Sequence, residues 1–155
     1  MIVLKSIKDT STPLENERRG VEAMKRVLTT HADEPQAMFR PELGWISFLW
    51  GNERWGIQHV IIQRIKKDRM TEATAEVFVL SLPQVIACGR LHPSHITKRG
   101  EIGRNITAYK KTVGLSVRNG GSTPQVLILT AHEDARFKPK DTTFIKKQGT
   151  KKRNR

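Results

Sequence analysis

After Gly89 the chain changes period, and that change bounds the fold. The run "EIGRNITAYKKTVGLSVR" (101–118) alternates polar and β-branched residues, "NGGSTP" (119–124) concentrates turn formers, and "QVLILTA" (125–131) is mostly apolar. Alternation places successive side chains on opposite faces of a strand, and a short apolar run beside a turn suits a buried strand. Upstream the spacing is helical. In "STPLENERRGVEAMKRVLTTH" (11–31), Val21, Met24 and Leu28 recur on one face. Ser11 or Thr12 can cap that helix, Pro13 suits its first turn, and Glu15 and Glu17 favour its positive end. Trp45 to Trp50 read as a short buried strand closed by Gly51 and Asn52. A helix follows over Ile57–Lys67. A second begins near Asp68 or Thr71, breaks before Pro83 and ends at Gly89. The pattern predicts an α+β fold, with N-terminal helices packed on a C-terminal antiparallel β-sheet. It divides into an N-terminal helical segment (1–35), an α+β domain (36–137) and a basic tail (138–155) expected to be disordered.

Charge narrows the function classes. The chain has 155 residues, with 28 Lys and Arg against 15 Asp and Glu, a formal net charge of +13. Such an excess draws polyanions, and nucleic acid is the first candidate partner. The tail holds Lys138, Lys140, Lys146, Lys147, Lys151, Lys152, Arg153 and Arg155 against one acid, Asp141. Such a block reads as a basic arm. No run reaches the roughly 20 apolar residues of a membrane span, and "MIVLKSIKDT" does not read as a secretory signal. No membrane partner is expected. The single cysteine, Cys88, leaves no intramolecular disulfide and no cysteine-based zinc site.

The stretch "GIQHVIIQRIKKD" (56–68) carries the sharpest candidate. On a helical wheel Ile57, Ile61 and Ile65 share one face, and His59, Gln63 and Lys66 the other, with Lys67 beside them. His59 is therefore expected to face solvent among cations. A neutral imidazole there can take a proton from a ribose 2′-hydroxyl, while the cations hold the phosphate. A plain solvated histidine is the competing reading. His92 and His95 flank Pro93 in a loop-like setting, with no nearby acid to complete a metal site. Read as one strand, 103–112 puts Arg104, Ile106, Ala108 and Lys110 on one face, and Asn105, Thr107, Tyr109 and Lys111 on the other. The basic face can track an RNA backbone, and Tyr109 or Trp55 can stack on a base. Trp45 and Trp50 are expected in the core.

Four motifs in order carry a resemblance: "AMFRPELGWISFLWG" (37–51), "GIQHVIIQRI" (56–65), "LPQVIACG" (82–89) and "QVLILTA" (125–131). Over roughly residues 36–134 the chain resembles the phage-associated nuclease-like domains of the barnase/EndoU/colicin/RelE-like fold group. Gly44, Ile46, Phe48, Trp50 and Gly51 match that group's strand motif. Gly56, His59 and Val60 match its helix, Pro83, Ile86 and Gly89 its turn, and Leu129 and Thr130 its last strand. The resemblance implies a metal-independent endoribonuclease of phage or bacterial origin, acting without cofactor through 2′-OH attack. His59 would be the base and Thr130 a phosphate ligand. The second helix histidine common in that group is here Arg64, which can stabilise charge on a phosphate but is a poor acid or base. Lys66, Lys67, Arg104, Tyr109 and Lys110, with Lys146, Lys147, Lys151, Lys152 and Arg153 of the tail, would bind RNA. Implied too are tRNA as a candidate substrate, a toxin-like role, an acidic inhibitor or immunity protein, and a bacterial cytoplasm or a virion as the place of action. The alternative is a non-catalytic nucleic-acid-binding or phage accessory protein on the same fold.

Overall fold

The computed structural model describes residues 12–120 and 123–134. In chain order it gives α1 (Pro13–Thr30), β1 (Glu34–Arg40), β2 (Gly44–Phe48), α2 (Ile57–Asp68), α3 (Glu72–Leu80), α4 (Leu82–Cys88), β3 (Arg90–Leu91), β4 (His95–Ile96), β5 (Ile102–Ala108), β6 (Lys111–Gly120) and β7 (Thr123–Glu133). The fold is α+β. The strands form one sheet in the order β1-β2-β7-β6-β5-β3, with β4 also paired to β5. The sheet is mixed, because β2 runs parallel to β7. That corrects the expectation of a purely antiparallel sheet placed after the helices. Two strands precede α2, and β1, "EPQAMFR", carries no clean alternation that would announce it.

Local chemistry sets the boundaries. Thr12 caps α1: its hydroxyl accepts from the Glu15 N–H at 3.1 Å, and the Glu15 carboxylate accepts from the Thr12 N–H at 2.9 Å. Thr71 caps α3 with its hydroxyl alone, which accepts from the Thr74 N–H at 3.1 Å. Pro83 sits in the first turn of α4, where its missing N–H costs nothing. The β5–β6 connection is a tight turn at Tyr109 and Lys110, with φ of 52° and 64°. Neither is the glycine or asparagine such a turn prefers, so the sequence alone reads as a single strand through 103–112. The structure corrects that reading. Lys110 does not continue the face of Arg104; it shares a turn with Tyr109.

The helices pack on one face of the sheet. Met24 and Val27 of α1, Ile57, Val60 and Ile61 of α2, Phe78 and Val79 of α3, and Leu82, Val85 and Ile86 of α4 meet Ile46, Phe48, Ile106, Val113, Leu115, Val126 and Ile128 in a single core. Residues before 36 therefore share that core with the rest. Gly20 lets α1 approach: a Cβ there would lie 2.7 Å from Met38 Cγ and 2.9 Å from Pro83 Cβ. Among the described residues, both sheet edges carry features that disfavour further pairing. On β1, the buried Asn16 amide donates to Phe39 O at 2.7 Å and accepts from Phe39 N at 3.0 Å. Pro35 and Pro41 offer no N–H on either side of it. At the far edge β3 and β4 are two residues each, with Pro93 between them.

The wheel for α2 is corrected by one step. The buried stripe is Ile57, Val60, Ile61 and Arg64, while Ile65 is 37% exposed. Spacing by three and four turns the stripe toward Val60 and Arg64. Arg64 is 5% exposed, and its Nη1 donates to Asp68 Oδ2 at 2.6 Å, whereas its Nε is buried without a partner. Losing the acid would strand a buried cation. Asp68→Ala should cost about 3–5 kcal/mol, whereas the double replacement Arg64→Met/Asp68→Leu, which removes both charges and the unpaired N–H together, should be near neutral. Urea titration of both variants measures this. Arg40 binds the end of α4, donating to Ile86 O at 3.1 Å and Gly89 O at 2.7 Å, and forks onto Glu42 at 3.2 and 3.0 Å. The bonds from Arg40 hold the Glu42 carboxyl below its ordinary value, aided by the nearby Arg104 charge. A depressed carboxylate stabilises the fold above its unfolded value and loses that contribution as pH falls through the folded one. Glu42→Gln should therefore lower the melting temperature at neutral pH and converge with the parent in acid.

Candidate nucleic-acid interface

Two loops far apart in sequence meet beside His59. The first, residues 51–56, is wound around Asn52. Its N–H donates to Trp55 O at 2.9 Å, and its side-chain oxygen accepts from the N–H groups of Arg54 (2.8 Å) and Trp55 (3.3 Å). Gly51 (φ 72°) and Gly56 (φ 91°) close the loop, and a Cβ on either would run into the other's Cα at 2.9 Å. Such close approach with positive φ leaves room only for glycine. The loop hands the chain to α2, where Ile57 N and Gln58 N bond to Leu49 O (2.9 Å) and Trp50 O (2.8 Å).

His59 lies on the side of α2 away from the core, half-buried. Its Nδ1 is 2.8 Å from Glu53 O. A carbonyl only accepts, so Nδ1 carries the hydrogen and Nε2 is the ring nitrogen left to act as a base when the ring is neutral. The ring is thus oriented by the Asn52 loop, an arrangement invisible in a helical wheel.

The second loop is the β4–β5 turn. Thr97 N bonds to Glu101 O at 2.8 Å, Gly100 N to Thr97 O at 2.9 Å, and Glu101 N to the Thr97 hydroxyl at 3.1 Å. Gly100 supplies the positive φ of 82°. The turn presents Lys98 and Arg99, both exposed, and Arg99 Nη2 reaches Arg54 O at 3.4 Å. The imidazole of His59 and the guanidinium of Arg99 therefore rest on consecutive carbonyls of one loop, Glu53 and Arg54. Exposed Arg54 and half-buried Trp55 complete the surface. Its cations suit phosphate, its indole suits a base, and its imidazole suits proton transfer.

The other sequence candidates are dispersed. Arg64 is buried against Asp68 on the opposite side of α2 from His59, so it does not reach that surface. Thr130 pairs with Gly114, which faces Asn105, on the side of the sheet away from the helices. A Cβ on Gly114 would meet Thr130 Cγ2 at 2.9 Å and Asn105 Oδ1 at 3.5 Å. Lys66 and Lys67 are exposed in the last turn of α2, where they also complement its negative end. Arg104 donates from Nε to His92 O at 2.7 Å. Tyr109 is exposed beside Lys110 in the β5–β6 turn. Lys146, Lys147, Lys151, Lys152 and Arg153 lie outside the described residues.

Three of the other four histidines have local partners. The Nε2 of His92 lies 2.8 Å from the Thr107 hydroxyl, and the Nδ1 of His132 is 3.1 Å from Glu133 O. The ring of His31 stacks on Trp50 with centroids 4.1 Å apart. Trp45 meets Phe39 edge-on at 5.3 Å, beneath Arg19. Trp45 and Trp50 are half-buried at the margin of the core and not inside it. Among the described residues no three His, Cys, Asp or Glu side chains come together as a metal site. A cavity of about 310 Å³ lies elsewhere, lined by Pro13, Asn16, Phe39, Arg40, Pro41, Glu42 and Ala87. Sequence reasoning passes over Arg54, Lys98 and Arg99 as site residues. The Lys-Arg-Gly tip between two short β segments is the available signal, but nothing in the sequence joins it to His59. No family model, curated protein or solved structure matches the chain.

The loop geometry makes a spectroscopic prediction. Long-range ¹H–¹⁵N spectra at alkaline pH should show neutral His59 as the Nδ1–H tautomer, and Asn52→Ala should shift the ring toward the usual solution mixture. An Nε2–H ring in the parent would contradict the bond to Glu53.

Proposed function

We propose that this protein binds single-stranded RNA at the junction of loops 51–56 and 97–100 and cleaves it without a metal, with His59 as general base. The observation that carries the reading is the pair of bonds to Glu53 O and Arg54 O, which sets an oriented imidazole beside an exposed guanidinium. The four-motif resemblance to the barnase/EndoU/colicin/RelE-like group supports the same chemistry. In the reaction His59 Nε2 takes the 2′-hydroxyl proton, and the 2′-oxygen bonds to phosphorus. The bond to the 5′-oxygen breaks, leaving a 2′,3′-cyclic phosphate and a 5′-oxygen that takes a proton from water. Arg99, Arg54 and Lys98 replace Arg64 as the groups that stabilise charge developing on the phosphate. Thr130, Lys66, Lys67, Arg104, Tyr109 and Lys110 become candidates for contacts farther along the strand.

A second reading, nucleic-acid binding without cleavage, is favoured by the burial of Arg64. That burial leaves the polar side of α2 without a guanidinium at the place where the resembling group often has a second histidine. Total RNA incubated in excess EDTA separates the two. Cleavage with cyclic-phosphate ends, falling about 10²–10⁴-fold in His59→Ala, is the outcome expected of a general base. A His59→Ala chain that cleaves like the parent removes the base assignment. Tight binding with no cleavage by the parent selects the second reading.

A further inference from the structure

The β4–β5 turn carries exposed apolar surface. Ile96 and Ile102 face each other across the two strands, and they are 70% and 38% exposed. Along the same row exposure falls steadily. Ile102 pairs with half-buried Val117, Val117 with Val126 at 1%, and Val126 with Ile46 at 0%. The core face of the sheet thus runs out from beneath the helices as an apolar shelf, and its outer end is the strand pair that holds Lys98 and Arg99. Isolated exposed isoleucines are ordinary. A cross-strand pair on a turn stiffened by three hydrogen bonds, with two exposed cations at its tip, is a more specific arrangement.

We propose that Ile96 and Ile102 form a base-contacting shelf for a single-stranded nucleic acid, and that the bases bound there are unstacked. The inference rests on the RNA-binding reading above and gives its site a binding mode. Charge complementarity selects the occupant. Lys98 and Arg99 draw a phosphodiester backbone to the turn, and the nucleotide flanking a bound phosphate then brings its base to the apolar flank of the same turn. Aliphatic side chains take the faces of bases once these are pulled from their neighbours, as apolar wedges do in duplex-bending proteins. The contact is indifferent to sequence, because every base has an apolar face. It also disfavours a closed duplex, whose bases are stacked and paired out of reach.

The test uses the full chain and a single-stranded DNA oligonucleotide carrying one 2-aminopurine. Lacking 2′-hydroxyls, this probe cannot be cleaved by the proposed reaction, so the measurement is independent of catalysis. Binding by the parent should raise 2-aminopurine fluorescence as the base unstacks. The Ile96→Ser/Ile102→Ser double variant should bind at least about five-fold more weakly, near the low end for the loss of one base contact. It should lose the fluorescence rise and keep the parent's salt slope. Lys98→Ala/Arg99→Ala should instead flatten the slope of log affinity against log salt by up to about 1.4, at roughly 0.7 per phosphate contact on a single strand. An isoleucine variant with unchanged affinity and unchanged fluorescence overturns the shelf while leaving the RNA-binding reading intact. The shelf is overturned equally if the isoleucine variant changes only the sedimentation of the chain, because the apolar pair is then a contact between copies. A parent chain that fails to bind the probe and RNA alike overturns both readings.

Discussion

One apolar sheet face organises the molecule. Phe48, Ile46, Val126, Ile128, Leu115, Val113 and Ile106 form it, and each helix turns its aliphatic stripe onto the same surface. Because burial is proportional to apolar area removed from water, the sequence can satisfy this constraint with Ile, Val, Leu and Met in many arrangements. What it cannot leave open is the edge. The Asn16 amide occupying both backbone groups of Phe39 stops β1 from recruiting another strand while holding α1 against the sheet. A buried asparagine on an otherwise apolar helix face would be costly if unpaired. Here it takes the place that a neighbouring strand's backbone would fill.

The candidate interface depends on that core only indirectly, through the start of α2. Ile57 and Val60 are fixed by packing, which fixes the direction in which His59 leaves the helix. The loop before it then determines the ring's orientation. Gly51 and Gly56 allow the chain to double back tightly enough for Glu53 O to meet Nδ1. The ring's orientation therefore rests on backbone chemistry, a main-chain carbonyl of the loop that precedes the helix.

Much of the helical architecture is legible in the sequence, because caps and breakers act locally. Thr12 with Glu15, Thr71, Pro83 and Gly89 each mark a boundary that the backbone obeys. The last strand and the α+β class are legible for the same reason. What stays hidden depends on contacts between distant segments. Strand β1 forms because Asn16 and β2 flank it, and a stretch holding Pro35 and Arg40 does not declare itself as a strand. The β5–β6 turn uses Tyr109 and Lys110 in left-handed conformations, against their preference. The buried position of Arg64 is fixed by Asp68 one turn later and by the packing of α2, and a polar residue at that wheel position reads as surface when taken alone. Of the proposed site, His59 is legible as an outward-facing residue. Its junction with Arg99 requires a fold that brings Arg99 within reach of the Arg54 carbonyl, 45 positions earlier.

Charge is distributed unevenly along the chain. Among residues 12–120 and 123–134, 17 Lys and Arg face 13 Asp and Glu, whereas the remaining residues hold 11 against 2. Most of the excess that makes the chain basic therefore lies outside the described residues, whose own excess is small. A field of that kind raises the local concentration of any polyanion without choosing a register for it. On the described surface two side chains meet consecutive main-chain carbonyls of one loop: the His59 imidazole at Glu53 and the Arg99 guanidinium at Arg54. On the proposed RNA-binding reading, salt should weaken capture of the polyanion far more than it disturbs where along the strand the chain engages, since counterion release scales with the number of phosphates neutralised and not with how closely one of them is placed.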